Sequence, residues 1–94
     1  MAETSCVGDG TTSRNIAVDL LGEAPVLALV VPTNATAKVY RVAGDTTGRN
    51  TTAGNAVTNS ITAMSADQIT VGLNLNATNV TYDVWVITTG LVTP

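Results

Sequence analysis

Short runs of β-branched residues, separated by turn-forming residues about every ten positions, constrain the fold of this chain more than any other feature. "RNIAVDL" and "DQITVGL" both alternate between aliphatic and smaller or polar residues, which is typical of a half-buried strand. Thr is the most frequent residue, Val is next and Phe is absent. Thr and Val are stiff at χ1 and favour pleated surfaces. The pattern therefore predicts an all-β protein with an aliphatic core.

Turn residues between the runs predict antiparallel pairing. We expect a β-sandwich or small barrel of about six to eight short strands. The chain of 94 residues has room for one core only. Residues 1–13 are polar and contain Gly8 and Gly10, so they are interpreted as an N-terminal arm or a weak edge strand. Residues 14–94 are interpreted as a single β domain.

Four segments carry specific expectations. Residues 26–31, "VLALVV", are continuously apolar and follow Pro25, which opens the element. They predict a central strand covered on both faces, followed by a break at 32–36. Residues 44–55 are rich in Gly, Thr and Asn and predict an exposed loop. Residues 56–64, "AVTNSITAM", predict one moderate strand. Residues 71–90 hold an Asn-rich turn followed by "VTYDVWVIT", which we interpret as the closing hairpin of the domain.

The charge balance argues against two classes of partner. The net charge is −3, the isoelectric point is near 4.3, and Lys and Arg together number four. Nucleic-acid binding depends on many phosphate contacts from basic side chains, and anionic membranes attract polybasic segments. We therefore expect neither nucleic acid nor membrane as a partner. No apolar run approaches the ~20 residues of a membrane helix.

The N-terminal residues and the cysteine content suggest where the chain is made. "MAETSCVGDG" shows neither a basic nor an apolar signal-peptide region. Cys6 is the single cysteine, so an intrachain disulfide is impossible. We expect synthesis in a reducing cytoplasm. Cys6 is interpreted as an incidental thiol, because it has no basic neighbour in sequence to activate it.

Catalytic chemistry has little basis in this sequence. His is absent, which removes the usual general base, a common metal ligand and any Ser–His–Asp or Cys–His arrangement. The acidic residues lie beside turns or on the polar side of strands, without the pairing that glycoside hydrolysis needs. "VGDGTT" lacks the Lys and the helix of a phosphate loop. We expect a non-enzymatic protein with no catalytic, cofactor-binding or metal-binding residue.

Trp85 and the N-x-T triplets raise the question of sugars. The triplets occur where Asn and Thr are abundant, so chance accounts for them better than glycan attachment. An exposed Trp85 could stack on a sugar or a base. Both phases of "VTYDVWVIT" are apolar, however, which favours a Trp packed in the core or at an interface. If it is buried, replacement by Ala should cost about 3–5 kcal/mol.

Two segments resemble a β-rich domain found in structural proteins of tailed phages. "GDGTTSRNIAVDLLGEAPVLALVV" is similar to its opening, and "ADQITVG" followed by an Asn-rich turn and "TYDVWVI" is similar to its ending. The matching residues are Gly8, Gly10, Arg14, Ile16, Leu21, Gly22, Pro25, 26–31, Asp67, Ile69, Val71, Gly72, Asn76, Thr81, Tyr82 and Trp85. The chain departs from that pattern at Gln68, where Gly is preferred, and at Ala24, which is often aromatic.

The resemblance implies a virion component, and a small chain of this kind suits a capsid decoration (cement) protein. Such a protein would lie on the capsid surface after synthesis in the host cytoplasm. It would bind the major capsid protein and form a dimer or trimer of its own chain. The contacts expected in the N-terminal segment are Thr4, Ser5, Cys6, Val7, Thr11 and Thr12.

A second interpretation is an adhesion module on a tail or head appendage that binds cell-surface carbohydrate. Its ligand would contact two polar loops rather than the N-terminal segment. The candidate residues are Thr46, Thr47, Arg49, Asn50, Asn76 and Asn79.

Overall fold

The computed structural model describes residues 2–20, 23–34 and 38–88. This part of the chain folds into nine antiparallel strands and one short 3₁₀ turn, Leu73–Leu75. The strands are β1 (Ala2–Val7), β2 (Ser13–Ala17), β3 (Pro25–Pro32), β4 (Val39–Val42), β5 (Gly48–Asn50), β6 (Ala56–Val57), β7 (Ile61–Met64), β8 (Gln68–Gly72) and β9 (Thr81–Thr88). The predicted all-β, antiparallel fold is confirmed.

The strands form two sheets that pack in a sandwich-like arrangement. The larger sheet has the order β1-β9-β3-β4-β5-β6, and the smaller sheet has the order β2-β8-β7. β9 therefore lies between β1 and β3, although the three are far apart in sequence. β1 and β6 form the edges of the larger sheet.

The core lies between the two sheets and is almost entirely aliphatic. The larger sheet contributes alternate residues of β3 and β9, including Val30 and Val84, and the smaller sheet contributes Ile69 and Val71. Tyr82 is the one aromatic side chain in this core, at 1% exposure. Because β-branched side chains have restricted rotamers, such a core loses little entropy on packing.

Arg41 adds a polar link between the sheets. It lies on β4 and is only partly buried, yet its Nη1 donates to the carbonyl oxygen of Ile61 on β7 at 3.1 Å. Its Nε donates to the carbonyl oxygen of Asp45 at 3.1 Å. Hydrogen bonds from a charged donor are stronger than neutral ones, so Arg41 holds β4 and β7 together.

Several local expectations were wrong. β3 is central, but Leu27, Leu29 and Val31 on its outer side are only half-buried, because no second layer covers that face among the described residues. The predicted loop at 44–55 contains β5, whose Gly48 is buried. The predicted single strand at 56–64 is divided by a turn into β6 and β7.

The predicted closing hairpin is also wrong. β8 belongs to the smaller sheet and β9 to the larger one, so the Asn-rich segment between them crosses from one sheet to the other. A crossing of this kind needs a longer connection than the tight turn of a hairpin, and the 3₁₀ turn with the residues after it supplies that length.

Residues 2–7 form an edge strand rather than a detached arm. All six residues of β1 pair with β9, from Ala2 opposite Val86 to Val7 opposite Thr81. Ala2 and Cys6 pack against the core, whereas Glu3 is exposed. Removal of this segment would therefore uncover β9 and part of the core, so a deletion of residues 2–7 would disturb the fold as well as any contact that they make.

Candidate functional site

The loop between β1 and β2 is bound to the loop between β8 and β9, and we call this contact the junction (residues 8–14 with 76–82). Three backbone hydrogen bonds connect the two loops. Gly8 N donates to Val80 O at 2.8 Å, Gly10 N donates to Asn76 O at 2.8 Å, and Asn79 N donates to Gly8 O at 3.1 Å. The junction therefore joins the two sheets at one end of the molecule.

Asn76 is the central side chain of the junction. It is fully buried, and its Nδ2 donates to Asp9 Oδ1 at 2.6 Å and to Thr11 Oγ1 at 2.9 Å. Its Oδ1 accepts from Asp9 N at 3.2 Å. A buried side-chain amide without hydrogen-bond partners destabilises the fold. In Asn76 both the amide nitrogen and the amide oxygen form hydrogen bonds.

Asp9 and Arg14 supply the charges of the junction. Arg14 Nη1 donates to Val7 O, and Arg14 Nε lies 3.9 Å from Asp9 Oδ2. Hydrogen bonds from the Thr11 hydroxyl and backbone N–H, and then from Asn76, lower the pKa of Asp9 to about 2. Asp9 is therefore an ionised acceptor that keeps the loop folded, which does not suit a general acid.

The two glycines of the junction are required by its geometry. A Cβ on Gly8 would lie 2.0 Å from the carbonyl oxygen of Ala77, which is far too close for two atoms that are not bonded to each other. Gly10 has a φ of +77°, which side chains other than glycine rarely adopt. The Tyr82 hydroxyl accepts a hydrogen bond from Ala77 N at 2.9 Å. Together these residues have an architectural role.

The contacts predicted in the N-terminal segment fall into two groups. Thr4 and Cys6 lie on the inner side of β1, and burial raises the pKa of the Cys6 thiol despite the opposing effect of Arg14. Arg14 is thus a basic neighbour that the sequence around Cys6 does not show, but the effect of burial on the thiol is larger. The exposed candidates are Ser5, Val7, Thr11 and Thr12, and Val7 is 53% exposed.

The loop candidates around β5 form a separate, self-contained cluster. Arg49 Nε lies 2.7 Å from Asp45 Oδ2, and this hydrogen bond lowers the pKa of Asp45 and raises that of Arg49. Asn50 Oδ1 accepts from Ala53 N at 2.8 Å. Thr46 is exposed and Thr47 is half-buried. These side chains mainly stabilise their own turn.

The remaining two loop candidates lie in the junction. Asn76 is buried with its amide already bonded, so it has no surface with which to contact a sugar. Asn79 is exposed and has a φ of 66°, a left-handed conformation that Asn tolerates well. Asn76 and Asn79 therefore lie together in the junction, where Asn76 bonds to Asp9 and Asn79 bonds to Gly8. Neither forms a common site with Arg49.

The outer face of the larger sheet is apolar and incompletely covered. We use "outer face" for the side of β9, β3 and β4 that points away from the core. Its apolar residues are Leu27, Leu29, Val31, Tyr40, Val42, Trp85 and Ile87. Val42 is 38% and Ile87 is 44% exposed. Contiguous apolar patches of this kind mark interaction surfaces.

Trp85 belongs to this outer face. It is half-buried and lies between Glu3 on β1 and Leu29 on β3, on the opposite side of β9 from buried Tyr82. It is therefore not part of the core, and the interface alternative remains. In the sequence, the residues on both sides of β3 and β9 are apolar. That pattern predicts burial on both sides, but the outer side is only half-buried.

Among the described residues, no three His, Cys, Asp or Glu side chains are grouped so that they could hold a metal ion. The described part of the chain has no helix with the length and apolar character needed to cross a membrane. No protein-family model, curated protein or solved structure matches this chain.

Proposed function

We propose that this protein is a non-enzymatic structural protein that acts through its surfaces, and specifically a capsid decoration protein. The observation that carries the proposal is the outer face, an apolar surface of β3, β4 and β9 that ends at an open edge strand, β1. A decoration protein stabilises a shell by adding buried area between neighbouring subunits. An apolar sheet face beside an open edge suits that task.

The resemblance to tailed-phage structural domains supports the choice of a virion over other assemblies. Its motif residues Gly8, Gly10, Arg14, Asn76 and Tyr82 meet in the junction. They are distant in sequence but cooperate in one structural contact. Motif residues that are architectural fit a module defined by its shape rather than by a catalytic site.

β1 is the strand that we propose to contact the capsid. One side of β1 pairs with β9, and its other side is an edge of the larger sheet. Exposed edges can accept a further strand from a partner through backbone hydrogen bonds. The exposed residues Val7 and Thr12, beside that edge and in the loop that follows, would then contact the major capsid protein.

The proposal predicts that a virus encodes this chain, and particles of that virus provide the test. Cryo-electron microscopy would compare these particles with matched particles that lack the protein. We expect density to disappear from many symmetric positions on the head, and the deficient heads to rupture at a lower temperature. Density lost only from the tail would favour the carbohydrate-binding alternative, and unchanged density would refute a virion role.

Point variants then test the contact surface by adding purified protein back to the deficient heads. Val7→Asp places a charge beside the β1 edge, and we expect it to abolish decoration. Leu73→Asp is the matched control, because Leu73 is 43% exposed in the 3₁₀ turn. Equal decoration by both variants would exclude the β1 region as the contact. Deletion of β1 is avoided because Ala2 and Cys6 pack on the core.

A further inference from the structure

We propose that a second copy of this chain covers the outer face, related by a two-fold axis that runs along β3. In this arrangement the second copy takes the outer face and the open edge of β1 is left for the capsid, and the dimer can be tested without any capsid. The proposal rests on the order of side chains across the larger sheet, which is complementary to itself under that rotation.

One row of outward-facing residues crosses five strands at the centre of the face. Consecutive register pairs define it, in the order Glu3 (β1), Trp85 (β9), Leu29 (β3), Tyr40 (β4) and Arg49 (β5). The row is acidic at one end, basic at the other, aromatic on both sides of the centre and aliphatic at the centre.

A two-fold axis along β3 reverses the order of strands but keeps each residue at its height along the strand. It therefore places β1 of one copy over β5 of the other, and β9 over β4. Glu3 then faces the partner's Arg49, Trp85 faces the partner's Tyr40, and Leu29 faces itself. Two-fold interfaces require such self-complementarity, and face-to-face sheets pack with their strands roughly aligned.

The neighbouring rows follow the same rule. On one side of the central row, Ile87 (β9), Leu27 (β3) and Val42 (β4) are register neighbours, so the two most exposed apolar residues of the face would cover each other. On the other side, Val31 pairs with Asp83. Exposed Lys38 immediately precedes β4, which places it near the partner's Asp83.

Charge distribution selects this orientation over the alternative two-fold axis across the strands. That second axis, crossing the strands at Leu29, would place β1 over β1 and β5 over β5. Glu3 would then face the partner's Glu3, and Arg49 would face the partner's Arg49. Like charges in contact are unfavourable. Arg49 pairs with Asp45, but its side chain is still 40% exposed, so it can also bind a carboxylate from the partner.

The size of the face indicates a weak, reversible dimer. The outer face together with the flanking strands β1 and β5 covers roughly 450 Å² in projection at the spacings of a pleated sheet. Stable interfaces bury about 800 Å² of accessible surface on each partner. A face of this size corresponds to a small interface, so we expect a dimer that dissociates on dilution.

Sedimentation velocity over a concentration series tests the dimer with the full chain. We expect the wild-type protein to shift from monomer to dimer, and Leu29→Glu to raise the dissociation constant at least about tenfold, since two copies of the charge meet at the axis. Leu73→Glu is the matched control and should dimerise normally. A wild-type chain that stays monomeric at every concentration overturns the proposal. The occupant of the outer face would then be something other than a second copy, such as residues 89–94 or another protein.

Charge reversal distinguishes this geometry from any other dimer. Glu3→Arg alone and Arg49→Glu alone each place like charges at both ends of the central row, so each should weaken self-association. An equimolar mixture should dimerise again, because one contact is then reversed and the other is native. Circular dichroism would confirm that both variants are folded. Failure of the mixture to associate more tightly than either variant alone would overturn the proposed axis.

Discussion

The two faces of β9 differ sharply in their surroundings, although both are apolar. On the inner face Tyr82, Val84 and Val86 are almost completely buried against the smaller sheet. On the outer face Trp85 is half-buried and Ile87 is 44% exposed. Apolar character on both sides of a strand therefore does not imply burial on both sides within one chain.

The inner face of β9 stabilises the fold, whereas the outer face is an apolar surface that a partner can bury. Burial of apolar area stabilises the folded state by about 25 cal/mol per Å². The apolar area of the inner face is already buried in the folded monomer. The outer face still has apolar area to bury, which is available for association. Substitutions on the inner face should therefore affect stability most, and substitutions on the outer face should affect association.

Replacement of Tyr82 by Ala should produce the largest loss of stability, about 3–5 kcal/mol, because it removes a buried ring from the core. It also removes the acceptor for the Ala77 backbone N–H. Urea denaturation of dilute protein would measure the change. Tyr82→Phe keeps the ring and should cost only about 1 kcal/mol. A small effect of Tyr82→Ala would contradict the assignment of this face as the core.

Replacement of Asn76 by Ala should reduce the free energy of unfolding by about 2 kcal/mol, because it leaves partly buried polar groups of the junction without partners. Asn74→Ala is the control. Asn74 is exposed, and its described side-chain contact is a hydrogen bond to Thr58 O, so its loss should cost less than about 1 kcal/mol. Equal effects in urea denaturation would mean that the junction contributes no special stability.

Replacement of Trp85 by Ala should cost only about 1–2 kcal/mol in the dilute monomer, because the indole is half-covered and leaves no closed cavity. The same variant should dimerise more weakly than wild type in sedimentation experiments. Its unfolding free energy would be measured beside that of Tyr82→Ala. A loss as large as that of Tyr82→Ala would show that the two faces are equivalent in stability.

The smallest effect concerns the pH dependence of the junction. The folded state lowers the pKa of Asp9 from 3.8 to about 2, so the ionised form is favoured by folding. The resulting stability is present above about pH 4 and is lost as the pH falls through 2. Asp9→Asn should remove this contribution, so the urea midpoints of variant and wild type should converge on acidification. A constant difference from pH 6 to 2 would contradict the shift.

Much of the fold could be predicted from local patterns. Alternation in "RNIAVDL" and "DQITVGL" located β2 and β8, and the long apolar and aromatic runs located β3 and β9. These predictions succeed because a two-residue period reflects the geometry of any strand with a buried side. Residues 1–13 were interpreted with an edge strand as one alternative, and Ala2–Val7 form such a strand.

The errors arose where pairing partners decide the structure. Gly48–Asn50 form a strand because Val39 and Tyr40 lie opposite them, although their own sequence is typical of a loop. Asn76 was considered as a sugar contact from its polarity, but Asp9 and Thr11 enclose it. Both facts depend on residues distant in sequence, so no local pattern could reveal them.

The sequence by itself determined the fold class, the aliphatic character of the core and the positions of β2, β3, β8 and β9, because these depend on residue shape and local period. The tertiary structure alone decided which face of β9 became the core, which loops met at Asn76 and which side chains lined up across five strands. Those outcomes follow from the order of strands in the sheet. That order is set by long-range pairing, since the gain from joining β1, β9 and β3 exceeds the loop entropy that their separation costs.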